Sequence, residues 1–128
     1  MEPRAVVEQF VVAFGEGRLR DVWSLLHDDF VVHAAGDVPY SGDYVGAQGF
    51  TELITKMLEA LELTPSTDMQ YLVDDDRVAI YYRLTFTSRA SGESVEMGMA
   101  EVFTVRDALI AELDVYYKNP SAVAALLS

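Results

Sequence analysis

The stretch that most constrains this fold runs from Val95 to Tyr117: VEMGMAEVFTV, RDA, then LIAELDVYY. It predicts two alternating strands joined by a tight turn. A strand repeats every second residue, so Met97, Met99, Phe103 and Val105 share one face, with Glu101 in the middle of it. A carboxyl group rarely sits among apolar side chains unless something pairs it or uses it. Arg83, Lys118 or a tyrosine hydroxyl would serve as a partner, unless the carboxyl is exposed at a mouth. The alternative is a general acid or base whose proton affinity burial has raised.

Composition narrows the function classes. A formal net charge of −12 argues against nucleic acid and anionic membranes, both of which need basic patches. The chain has no cysteine, so it has no disulfide, thiolate nucleophile or cysteine-based metal site. Its 128 residues are about one domain's worth, and half are hydrophobic. Nothing approaches the roughly 20 apolar residues of a membrane span. The N-terminal apolar run holds Glu8 and Gln9 and lacks a small-residue cleavage site, so a cytoplasmic location is expected.

Apolar spacing predicts a first helix from Pro3 to about Phe14, ended by Gly15 and Gly17, and a second from Leu19 to about Leu26. FVVHAA at 30–35 reads as a strand, and Gly36 to Gly46 as a loop. A third helix is expected from about Ala47 to Leu61, with Phe50, Leu53, Ile54, Met57, Leu58 and Leu61 on one stripe. Four strands then follow, the first ending in the acidic turn Asp74-Asp75-Asp76, before a short C-terminal helical turn in SAVAALL. The order implies a single α+β domain over residues 1–128, with three N-terminal helices packed on one face of a mostly antiparallel sheet.

The segment GEGRLRDVWSLLHDDFVVHAAG, the loop PYSGDYVGAQGF and the closing ALIAELDVYYKNP give the chain a resemblance to a known superfamily. It includes nuclear transport factor 2, ketosteroid isomerase and the SnoaL-like polyketide cyclases, and the resemblance covers essentially the whole chain. It implies a cone-shaped fold, with a curved sheet around three helices, a deep and mostly apolar pocket, and frequent dimerisation through the sheet. The isomerase's substrate-binding tyrosine falls on Phe10 and its general base on Ala34, which argues against steroid isomerisation by that machinery. Its third group, a carboxylic acid kept protonated by an apolar site, falls on Glu101. The Asp–Arg–Asp set of epoxide hydrolases is incomplete: Arg83 is present, but Thr85 or Leu84, and Val115, stand at the acidic positions. The acid/base residue of SnoaL-like cyclases lies near Asp114, which alternation places opposite Leu113, Val115 and Tyr117 unless a bulge intervenes.

The catalytic candidates are therefore Glu101, His33 and Asp114. His33 is a candidate because a free imidazole titrates near neutral pH, although alternation sets it opposite Phe30, Val32 and Ala34, which suits a surface role. Tyr40 and Tyr44 belong to the loop that rims the pocket in this fold, where they either cover a ligand or pack over the third helix. Helical candidates for the pocket or core wall are Phe10, Phe14, Trp23, Phe50 and Met57. The strands add Tyr82, Phe86, Met97, Met99, Phe103 and Tyr117. No metal or cofactor is expected, because His27, Asp28, Asp29 and His33 match no ligand spacing. The expected function is cofactor-independent acid/base chemistry on a small apolar carbonyl compound, such as isomerisation, cyclisation or dehydration. A non-catalytic module that binds a hydrophobic ligand or serves dimerisation is the alternative.

Overall fold

The computed structural model describes residues 1–128. In chain order the elements are α1 (Pro3–Gly15), α2 (Leu19–Ser24), β1 (Leu26–His33), β2 (Asp43–Val45), α3 (Gly46–Ala60), β3 (Leu61–Pro65), β4 (Gln70–Asp74), β5 (Arg77–Ser88), β6 (Ser94–Arg106), β7 (Leu109–Tyr117) and α4 (Pro120–Leu126). The sheet runs β2-β1-β7-β6-β5-β3, with β4 also paired to β5. Every pairing is antiparallel except β1 with β7. This is the expected α+β cone, with α1, α2 and α3 N-terminal to most of a strongly curved sheet and α4 closing the chain. No helix is long and apolar enough to cross a membrane.

Three boundaries differ from the sequence reading. α2 stops at Ser24, and β1 starts at Leu26 rather than Phe30. Leu26 thus begins a strand beside Ile110 instead of ending a helix. The segment 36–46 contains the short strand β2, whose three residues pair with Val31, Val32 and His33. Leu61 is not the end of the helical stripe but the start of β3, where it is fully buried opposite Ser88 of β5. Leu61 and Leu63 fit either period, so local pattern could not decide between them. Leu58 is 41% exposed and lies off the buried stripe.

The core lies between α1, α3 and the inner face of the sheet. Val6, Val7 and Phe10 come from α1, and Phe50 and Leu53 from α3. Facing them are Phe30 and Val32 of β1, Val78, Ile80 and Phe86 of β5, and Phe103 of β6. Phe10 joins the layers, meeting Phe50 edge-on at 5.7 Å and Phe103 at 5.4 Å between ring centroids. Such geometry adds to plain area burial.

α3 meets the segment before it very closely at Gly49. A Cβ added there would lie 2.9 Å from the backbone carbonyl carbon of Tyr44. Gly49→Ala is therefore expected to destabilise the fold by about 1–3 kcal/mol despite alanine's better helix propensity, and thermal denaturation would reveal the loss.

Candidate functional site

Glu101 projects from β6 onto the inner face. Its Cα neighbours across the sheet are Ile80 on β5 and Val115 on β7, and Ile80 in turn faces Tyr71 on β4. Three apolar or aromatic side chains thus share its row, and Met99 and Phe103 flank it on its own strand. Alternation alone puts it there, because β6 runs unbroken from Val95 to Thr104.

The polar group that acts on the carboxyl is the Tyr82 hydroxyl, on the same face, and not a cation. Arg83 is turned to the other face, where it holds Glu96 at 3.2 Å. Desolvation pushes the Glu101 carboxyl up to about 7, with Tyr82 pulling weakly the other way by hydrogen bonding to the ionised form. Burial and the neighbouring carboxylate in turn hold the Tyr82 phenol well above its ordinary range. Tyr117 behaves likewise, for burial first and for its neighbours Tyr40, Glu101 and Tyr82 second. Its hydroxyl lies 2.8 Å from that of Tyr40, and Tyr44 donates to the Tyr40 carbonyl at 2.9 Å. The site therefore holds one group that titrates near neutrality, beside phenols that stay neutral hydrogen-bond donors.

The other candidates divide by face. Phe10, Phe14, Phe50, Phe86, Met57, Met97, Met99 and Phe103 belong to the core between helices and sheet or pack against it. Trp23 does not. It is 40% exposed and donates from Nε1 to Thr51 Oγ1 at 2.9 Å, bracing α2 on α3. His33 and Asp114 sit side by side on β1 and β7 but on the outer face. The register shift near Thr104 and Val105 falls before Leu113, too early to turn Asp114 inward. Asp114 accepts instead from the exposed Tyr116 hydroxyl at 2.7 Å. The sequence reading missed Tyr71, which shares Glu101's row, and Asp43 and Glu112, which hold His33.

Two surface concavities flank this interior, of about 460 Å³ beside Tyr44 and α3 and about 530 Å³ between α1 and α2. Neither reaches Glu101. Among the side chains present, no group of three or more acidic or imidazole ligands converges on one point.

Comparison with known proteins agrees with this architecture. No curated protein matches the chain in sequence. An NTF2-like protein from Burkholderia thailandensis superposes with a TM-score of 0.91 at 18% identity, over 100% of this chain and 98% of its own. A candidate polyketide cyclase from Xanthomonas campestris pv. campestris gives 0.83 at 18% identity, covering 98% and 96%. TerC, crystallised with polyporic acid, gives 0.78 at 17% identity, covering 98% and 97%. At such identities these likenesses establish the fold alone. The family model described as a SnoaL-like domain matches residues 7–113, most of the chain, and on that ground the protein belongs to the SnoaL-like family.

Proposed function

We propose that the protein is a small-molecule enzyme that moves a proton on an apolar substrate carrying a carbonyl or enol oxygen, without a cofactor. The observation that carries this reading is the Glu101 carboxyl, pushed up to about 7 on an otherwise apolar face beside Tyr82. An acid whose proton is half-held at neutral pH gives and takes it with the least penalty. Tyr40 and Tyr117, kept neutral by burial and sharing one hydrogen bond, leave one hydroxyl proton to donate to an oxygen on which charge develops. Glu101 would shuttle the proton, Tyr82 would orient its carboxyl, and the Tyr40–Tyr117 pair would meet the substrate oxygen. Candidate polyketide cyclases among the fold neighbours favour substrates of this oxygenated kind.

The test needs no knowledge of the natural substrate. A panel of aryl and alicyclic ketones is incubated with the protein in D2O, and exchange at the carbon next to the carbonyl is followed by NMR. Wild type should accelerate exchange for members of the panel that it binds. Glu101→Gln should bind them equally and exchange at least about 100-fold more slowly. Binding without exchange in the wild type would favour the alternative reading, a ligand-holding module. The close aromatic packing of Phe10, Phe14 and Phe50 is compatible with either role.

A further inference from the structure

His33 lies outside the proposed site, yet it is the most tightly held ionisable side chain on the outer face of the sheet. Its Nδ1 is 2.7 Å from Asp43 Oδ1 on β2, and its Nε2 is 2.8 Å from Glu112 Oε2 on β7. An imidazole with a carboxylate oxygen at both nitrogens must donate from both, and only the doubly protonated cation does so. The neutral ring would set a lone pair against a carboxylate on one side.

What the contact closes is a loop. His33 and Asp43 are the last paired residues before the segment Ala34–Gly42, and the Ala34 amide donates to the Gly42 carbonyl at 2.9 Å. That segment sends Val38 and Tyr40 into the core, both nearly fully buried. Tyr40 then reaches the Tyr117 hydroxyl on the inner face. The loop is thus held at its base by His33 and at its tip by the phenol pair. Of the two carboxylates, Glu112 stands on an interior strand, whereas Asp43 belongs to a three-residue edge strand. The edge is the side that yields.

We propose that His33 is a protonation-dependent clasp: as its imidazolium it pins β2 to β1 and β7, and on losing its proton it frees the loop that holds Tyr40 against Tyr117. The clasp would be closed on the acidic side and looser on the alkaline side. The groups facing His33 are Asp43 from β2, with Glu112 and Asp114 from β7, and Tyr116 beyond them on Asp114. None is cationic. Asp43 raises the proton affinity of His33 most strongly, burial opposes it, and Glu112 adds a further rise. All three side chains keep contact with solvent, so added salt weakens the clasp. The inference holds whether the interior turns over a substrate or only stores one.

Amide hydrogen exchange on the whole protein tests this, with each rate divided by the intrinsic rate at the same pH. Protection at Ala34 and Ser41, taken relative to β5 and β6 amides so that the global loss caused by Glu101 cancels, should fall about tenfold between pH 6 and pH 9, the scale of one charge-assisted contact. Asp43→Asn should show the low protection at both pH values, and its His33 should titrate lower by NMR. Glu112→Gln should also lower that titration. Loop protection independent of pH in the wild type, an equal pH response in Asp43→Asn, or an unmoved His33 titration in both variants would each overturn the clasp.

Discussion

Glu101→Gln should stabilise the protein at pH 8 by about 3 kcal/mol and leave its stability at pH 4 nearly unchanged. The carboxyl has a proton affinity near 7 in the folded state against 4.5 as its ordinary value. Between those values the folded chain binds more protons than the unfolded one, so stability falls as pH rises through that window. Below 4.5 the acid is neutral in both states and nothing is lost. Above 7 it is charged in both, and the whole cost of ionising it inside is felt, at about 1.4 kcal/mol for each unit of the shift. A glutamine is neutral throughout and escapes that cost. Taking the difference between variant and wild type cancels the self-repulsion of a chain with net charge −12. Thermal melts at pH 4 and pH 8 are sufficient, with a gap on the order of 10 °C at the higher pH. Equal melting temperatures at pH 8 would mean that the carboxyl is well solvated, and would remove the basis for the acid/base reading. A destabilised variant would instead make the carboxylate's contact with Tyr82 the dominant influence.

Phe103→Ala is expected to cost about 3–5 kcal/mol, the upper end of what truncating one core side chain does. The ring is fully buried, stands 5.4 Å from Phe10, and faces Val78 and Leu113 across its neighbouring strands. The strands around it are locked by ladder hydrogen bonds on both sides, so the hole cannot collapse readily. Because Phe103 is two residues from Glu101 on the same face, water entering the hole would also reach the carboxyl. Chemical denaturation should therefore show the loss, and an NMR titration should show Glu101 drifting from about 7 toward 4.5. Phe103→Leu, which keeps most of the volume, should do little of either.

Much of this was legible in the residues because β6 is long and regular. Alternation from Val95 to Val105 gave Glu101 its face without any knowledge of the partner strands. His33 was placed outward by the same rule. What stayed hidden depended on pairing between distant segments. β3 could not be separated from the end of α3 because Leu61 completes both patterns, and only Ser88 and Phe86 across the ladder decide it. β2 has three residues, too few for a period, so Asp43 could not be recognised as the cross-strand neighbour of His33. Tyr82 stood among several possible helpers of Glu101 until the register of β5 against β6 set Tyr82 opposite Met99, one step from the carboxyl. Trp23 was indistinguishable from a core residue by type, and only its contact with Thr51 shows it bracing an outer surface.

The parallel pairing of β1 with β7 ties the beginning of the chain to its end. β5, β6 and β7 follow one another as local hairpins, and their ladders can zip as soon as each strand exists. β1 has no such neighbour in sequence on that side. Made early, it carries an open row of amides and carbonyls until residues 109–117 emerge some eighty positions later. One late segment therefore completes two ladders at once, the antiparallel one to β6 and the parallel one to β1. It also delivers Tyr117 to Tyr40 in the same step. The interior of this protein cannot be completed before its C-terminal strand pairs, and that strand supplies Val115 beside Glu101.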